Sequence, residues 1–164
     1  MGEGKSDSGE PGRRRLAPFP RTPFAARGVK ASAPFVVYFD GASRGNPGPA
    51  AWGVFAPPSR SARQAIGAAT NNVAEWLGFL AALDLAAEAG AADVEVRADS
   101  ELVLKQFLGT YRVKALHLKP YLAAAREKAR RFRRLSVVHV PRSENREADA
   151  LANAALDEAA ARSR

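Results

Sequence analysis

Four acids in this 164-residue chain stand where a carboxylate is costly. Asp40 ends the uncharged run Phe35-Val36-Val37-Tyr38-Phe39, and Asp99 ends the alternating stretch from Asp93 to Ala98. Glu75 and Asp149 each fall in the first turn of an apolar helical pattern. A carboxylate on an apolar side needs a proton, a cation or donors to offset its lost hydration. If the four ends converge, their repulsion is tolerable only with protons or cations between them. The chain has no cysteine, and its two histidines, His117 and His139, lie away from the four acids in the sequence. Hard oxygen ligands of this kind suit Mg²⁺ or Mn²⁺ rather than zinc. Two such ions about 3.5–4 Å apart form a clamp for phosphodiester hydrolysis, one activating a water and the other stabilising the departing oxygen. Taken singly, each acid also reads as a helix cap or a surface residue.

The elements that must bring these acids together follow from periodicity. Residues 35–40, aromatic and β-branched without charge, predict a strand buried on both faces, ending at Asp40 in a Gly/Asn/Pro turn. Residues 51–56 and a weaker 62–68 follow after short connections, which favours an antiparallel meander. Thr70 to Ala89 predicts a helix capped by Thr70 or Asn71 and closed by Gly90. At 100° per residue, Glu75 lies half a turn from Asp84. That puts Glu75 on the inward stripe with Gly78, Phe79, Ala82 and Ala86. A fourth strand is expected at 93–98, a short helix from Ser100 to Leu108, a helix from Pro120 to Arg134 and a fifth strand at 135–140. The loop Pro141-Arg142-Ser143-Glu144-Asn145 can cap a last helix, whose stripe runs through Ala148, Leu151, Ala152, Ala155, Leu156 and Ala159. Strands separated by helices pair in parallel. The expected fold is an α/β domain over residues 34–162, with a five-stranded mixed sheet of three antiparallel strands and then two parallel ones.

Residues 1–33, rich in Gly, Pro, Ser and Arg, predict a disordered basic tail in which prolines forbid a regular element. Half of the net charge of +8 falls in this short stretch: residues 1–34 carry seven Lys/Arg against three Asp/Glu, which makes the tail far more basic per residue than the body. Such a balance suits polyanion partners, or a solubilising surface. Arg13-Arg14-Arg15 fits either reading. No apolar run approaches the roughly 20 residues of a membrane span, and the N-terminus has no hydrophobic signal core. The expectation is a cytoplasmic monomer with no membrane partner.

Four segments carry a family resemblance: Asp40-Gly-Ala-Ser-Arg-Gly-Asn-Pro-Gly-Pro, Thr70-Asn-Asn-Val-Ala-Glu75, Ala98-Asp99-Ser-Glu-Leu-Val and Asn145-Arg-Glu-Ala-Asp149-Ala-Leu-Ala-Asn153. In this order and spacing they resemble the signature segments of type 1 ribonuclease H, in its short, archaeal-like and bacterial form. The resemblance implies endonucleolytic cleavage of the RNA strand of RNA–DNA hybrids, leaving 5′-phosphate and 3′-hydroxyl ends. It implies two Mg²⁺ ions, with Mn²⁺ as a substitute, held by Asp40, Glu75, Asp99 and Asp149. Glu75 would also help recognise a 2′-hydroxyl, the group that separates RNA from DNA. Gly41, Ser43, Asn46, Asn71 and Asn72 match substrate-contacting positions, Asn71 and Asn72 reading equally as helix caps. Glu101 stands where some relatives carry Gln.

Two departures from the pattern matter. Many relatives place a histidine in the loop before the last Asp, and here residues 141–147 contain none. Arg142 is the candidate to take part of that role at a phosphate, or else to form a plain salt bridge; His117 and His139 read as structural. The chain also lacks the extra basic helix with which longer members grip the DNA strand. The cluster Arg126–Arg134 or the basic tail is the candidate substitute. Rival readings are a broader nuclease that also cuts double-stranded RNA, and a hybrid-binding module with negligible turnover.

Overall fold

A computed structural model describes residues 14–15 and 33–164. The sheet is built from β1 (Phe35–Ser43), β2 (Gly48–Ala56), β3 (Arg60–Ala69), β4 (Asp93–Ala98) and β5 (Arg134–His139). The helices are α1 (Asn71–Glu88), α2 (Glu101–Leu108), α3 (Lys119–Ala129) and α4 (Arg146–Arg162), with single 3₁₀ turns at Leu116–Leu118 and Arg142–Glu144. The strand order is β5-β4-β1-β2-β3. The β1–β2 and β2–β3 pairs are antiparallel, and β4 lies parallel to both β1 and β5. This is the mixed sheet expected, with β1 at its centre.

Outside β5, the backbone of Arg14 and Arg15 pairs antiparallel with His139 and Val138. This short ladder departs from the expectation of no regular element in the tail. It falls between Pro11 and Pro18, where every backbone N–H is available to pair. The rest of the expected disordered tail lies outside the described residues.

Several boundaries also differ from expectation, among them the start of β2 at Gly48 instead of residue 51. β1 does not stop at Asp40. It runs on through Gly41 to Ser43, because β2 continues to pair with it (Asp40 opposite Gly53, Ser43 opposite Ala50). α3 ends at Ala129 rather than at residue 134, and Arg134 opens β5. There the guanidinium of Arg133 clamps Asp93 with bonds of 3.0 and 2.7 Å, which fixes the turn against the start of β4.

The core lies between the sheet and α1. Val37 and Phe39 of β1, Trp76 and Phe79 of α1 and Phe107 of α2 are fully buried. Phe79 stacks on Phe39 at 5.4 Å and meets Phe107 edge-on at 4.8 Å, each a favourable aromatic geometry. The Glu75 stripe of α1 faces this core as expected. The other face of the sheet is covered by α4 only over β1, β2 and β3. Val36 and Tyr38 of β1 are therefore half-buried, and the strand is not enclosed on both faces as its composition suggests. Among the described residues no helix is long and apolar enough to cross a membrane.

Candidate active site

The parallel register of β1 and β4 decides where the first two acids meet. Phe35 to Tyr38 lie level with Val94 to Arg97. Two further residues along each chain set Asp40 beside Asp99. Glu75 reaches the same end from α1 through an unusually close packing of helix on strand. A Cβ on Gly41 would stand 2.3 Å from the backbone nitrogen of Glu75, so only glycine permits the approach. In return the Gly41 N–H donates to Glu75 Oε2 at 3.2 Å. α4 comes down on β2 in the same way: a Cβ on Gly53, the partner of Asp40, would stand 2.5 Å from the carbonyl oxygen of Ala148. Asp149 follows in the first turn of that helix.

The charges respond to this convergence. Asp40 is 6% exposed, and its carboxyl is pushed up to about 8, first by burial, then by the Asp99 charge and by contact with the Asp149 carboxyl. Glu75, 8% exposed, is raised well above the usual carboxylate range by burial and by the charges of Asp40 and Asp99, which the Gly41 N–H only partly opposes. Among the described residues no three acid or histidine side chains close tightly enough to ligate one ion as they stand. They form an open rim of carboxylates that sense one another electrostatically. The donor chemistry fits a hard divalent cation: every group is a carboxylate, and burial, with the charges of their neighbours second, favours the protonated form of Asp40 and Glu75 while no cation is bound.

Asn145 was legible only as part of a capping loop, and the structure gives it a different task. It occupies the N-cap position of α4, but its side chain makes no cap bond. It is 1% exposed, and its Nδ2 donates to the Phe39 carbonyl at 2.8 Å and to Asp99 Oδ1 at 3.0 Å. One amide thus holds the start of α4, the β1 backbone next to Asp40 and the carboxylate of Asp99. Its Oδ1 is buried without a protein partner, facing the need for a further donor. Asn153 orients Asp149 similarly, donating to its carbonyl at 3.0 Å and to Oδ1 at 3.3 Å. The available signal for Asn153 was its position four residues after Asp149, one helical turn on; nothing local in the sequence pointed Asn145 to Asp99.

This arrangement can be set beside known proteins. The sequence matches the family described as Reverse transcriptase-like over residues 39–155. The ribonuclease HI of Halobacterium salinarum is 47% identical over 127 residues, covering 74% of this chain and 64% of the relative. The crystal structure of RNase H1 from that archaeon superposes with a TM-score of 0.74 at 45% identity, covering 77% of this chain and 99% of the other. The chain belongs to the ribonuclease H-like family. It spans just under two thirds of the length of the H. salinarum protein. LC11-RNase H1, solved in complex with RNA/DNA hybrid, matches with a TM-score of 0.70 at 39% identity over 76% of this chain and 98% of its own.

Within this ribonuclease H-like frame the remaining expected residues take definite places. The turn after β1 is joined to α1: Asn46 Oδ1 accepts from the Asn71 N–H at 3.1 Å, and Ser43 Oγ donates to the Gly45 carbonyl at 2.6 Å. Thr70, not Asn71, caps α1, accepting from the Val73 N–H at 3.2 Å. This leaves the side chains of Asn71 and Asn72 free of capping duty on the first turn of α1, beside Glu75. Gly41 has the packing role described above. Arg142 is 82% exposed as a side chain and reaches Asp149 Oδ1 only at 3.9 Å, a loose pairing at the rim. Glu101 is engaged with Lys105 at 2.6 Å. His117 is exposed on a 3₁₀ turn, and His139 closes β5 beside Ala98.

Proposed function

We propose that this chain hydrolyses the RNA strand of RNA–DNA hybrids, leaving 5′-phosphate and 3′-hydroxyl ends. The observation that carries the reading is the meeting of Asp40, Glu75, Asp99 and Asp149 at one end of the sheet, at a cost visible in the raised pKa of Asp40 and Glu75. A protein gains nothing in stability from such a set, and a cation-dependent reaction is what it suits. The likeness to LC11-RNase H1 supports a hybrid as the substrate.

Asp40, Glu75, Asp99 and Asp149 would hold two divalent cations, Mg²⁺ or Mn²⁺, which would supply a polarised water and neutralise charge at the departing 3′-oxygen. The protein's own part is positioning. Asn145 holds the Asp99 carboxylate through Oδ1, and the Gly41 N–H holds Glu75 through Oε2. Burial and its acidic neighbours push the Asp40 carboxyl up to about 8, so holding a cation would require it to give up a proton. Arg142, exposed beside Asp149, is placed to neutralise a phosphate, and it stays charged throughout the pH range of the reaction. Asn71, Asn72, Ser43 and the turn at Asn46 form the rim against which the hybrid's minor groove and backbone would lie.

Labelled RNA–DNA hybrid, double-stranded RNA and double-stranded DNA, each incubated with Mg²⁺, Mn²⁺ or EDTA, test the reading. Cleavage of the RNA strand of the hybrid in either metal, and none in EDTA, is expected. Tight hybrid binding without cleavage in both metals would show a binding module instead. Equal cutting of double-stranded RNA would widen the substrate class.

A further inference from the structure

One stretch of the sheet is buried although no described helix packs over it. α4 packs over β1, β2 and β3. On the same side β4 and β5 present Glu95, Arg97, Ser136 and Val138, which alternate with the core residues Val94, Val96, Leu135 and Val137. Glu95 is only 4% exposed and Val138 only 5%. Part of this cover is local. Arg97 Nε donates to Glu95 Oε2 at 2.8 Å, and its Nη1 donates to the Tyr38 hydroxyl at 2.7 Å. Values this low on a sheet face without a helix point to a further layer.

The ladder registers draw a path over this face. Val138, Arg97, Tyr38 and Phe55 stand level on four neighbouring strands and form one row across the sheet. The outer end of the row meets Arg15, which pairs with Val138. The inner end opens into a groove of about 390 Å³, which Tyr38, Phe55 and Pro57 line together with Glu144 and Glu147.

The chain itself contains a segment of matching chemistry at the start of that path. Arg14 lies opposite His139 and Arg15 opposite Val138, so the chain there runs away from the acid end and toward the end of the sheet at which β1 begins. From this outer ladder to β1 is three strand spacings, roughly 14 Å. The 17 residues between Arg15 and Ala33 reach about 50 Å when extended, far more than a direct return needs. Residues 11–34 carry six Lys/Arg and no Asp/Glu, the sign opposite to Glu95, Glu144 and Glu147. Leu16, Phe19 and Phe24 stand among Pro18, Pro20 and Pro23, and aromatic-lined grooves take proline-rich segments of this kind.

We propose that this face is a docking surface for the protein's own N-terminal segment: residues 16–32 lie across the row from Val138 to Phe55, with Phe19 over β4 and Phe24 in the groove at Tyr38. Phe19 is four residues beyond Arg15, roughly 12 Å of extended chain, and Phe24 is nine, roughly 28 Å, which reaches both stations. The segment is then part of the fold rather than an added grip on a polyanion, and its positive charge is met by the acids of the sheet and of the start of α4. The proposal stands independently of what the acid rim catalyses.

The test uses the full chain. It has no cysteine, so Ser136→Cys places a single thiol on the face in question, and Ser163→Cys at the end of α4 serves as a control. Maleimide labelling of each is compared with and without Phe19→Ser/Phe24→Ser, and circular dichroism checks that all variants fold. Docking predicts that the two serines speed labelling at residue 136 about ten-fold or more and leave residue 163 unchanged. In the cysteine-free chain the same pair should speed trypsin cleavage after Arg21, Arg27 and Lys30 by a similar factor, while Phe19→Leu/Phe24→Leu keeps the slow rate. Equal rates with and without the serines, in either assay, would overturn the dock. Protection at residue 136 that grows with protein concentration would assign the face to a second copy, and protection that appears only on adding an RNA–DNA hybrid would assign it to nucleic acid. Either result would overturn the intramolecular dock.

Discussion

Phe39 and Asp40 are neighbours on one strand and belong to opposite economies of the fold. Phe39 points into the layer under α1 and stacks on Phe79. Asp40 points to the α4 side and lies among other carboxylates, its own pushed up to about 8. One residue along β1 separates a side chain that stabilises the fold from one that strains it. Stability is supplied by the aromatic layer, and the Arg133–Asp93 clamp ties the start of β4 to the turn before β5. The acid end draws on that stability and returns none of it until a cation arrives. The two regions should therefore respond oppositely to substitution.

The sharpest break of this contrast is at Asp99. Asp99→Asn removes a charge from the rim while keeping the size and a partner for Asn145. Hybrid cleavage in Mg²⁺ is expected to fall on the order of 10³-fold or more, since several kcal/mol of cation-borne stabilisation are lost. Melting in EDTA should not fall. Unchanged cleavage would remove Asp99 from the chemistry. At the stable end, Phe79→Ala takes away the ring shared by Phe39, Trp76 and Phe107. It should cost about 3–5 kcal/mol in urea unfolding, and a loss below about 1 kcal/mol would show that this layer is not where stability resides.

Proton linkage separates the two regions without mutation. The folded-state pKa of Asp40 lies above its ordinary value of 3.8, at about 8. The folded protein thus holds a proton that the unfolded chain releases, and stability falls as pH rises from about 4 to about 8. In EDTA the protein should unfold at lower urea at pH 8 than at pH 5.5, by an amount on the order of a few kcal/mol. Asp40→Asn or saturating Mg²⁺ should flatten that dependence. A profile equally steep in Asp40→Asn would assign it to other groups. The smallest effect is expected at the joint between the regions. Asn145→Ala leaves the Phe39 carbonyl without its donor, a loss of about 1–3 kcal/mol, and frees Asp99 to turn, with a roughly 10–100-fold weaker cation affinity by titration calorimetry. An unchanged affinity would reduce Asn145 to a structural tie.

Much of this was legible in the residues because each acid sits at a change of periodicity. The inward stripe carrying Glu75 could be placed by angle alone, and the pairing directions followed from short connections early in the chain and helical crossovers later. What was not legible depended on partners distant in sequence. β1 runs past Asp40 only because β2 keeps pairing with it. Gly41 reads as a substrate-contacting glycine and Gly53 as one residue of a strand until α1 and α4 are laid against them. Asn145 looks like a cap because its hydrogen-bond partners, Phe39 and Asp99, lie 106 and 46 positions away. The stretch from Arg126 to Arg134 reads as one basic helix, and only the fold ends that helix at Ala129, pairs Lys128 with Asp84 and Arg133 with Asp93, and leaves Arg126, Arg130 and Arg131 exposed.

The connector from Val140 to Asn145 has one more consequence, for the way this protein can change over evolution. Surface loops ordinarily tolerate a residue gained or lost. This one measures a fixed length, from the end of β5 to an amide wedged between β1 and Asp99. One inserted residue would push Asn145 out of that gap or turn α4 by about 100° about its axis, carrying Asp149 away from the rim. An exposed side chain of the connector such as Ser143 is free to vary, while the connector's length is not. Among functional descendants of this chain, substitutions should accumulate between β5 and α4, and insertions should be found elsewhere.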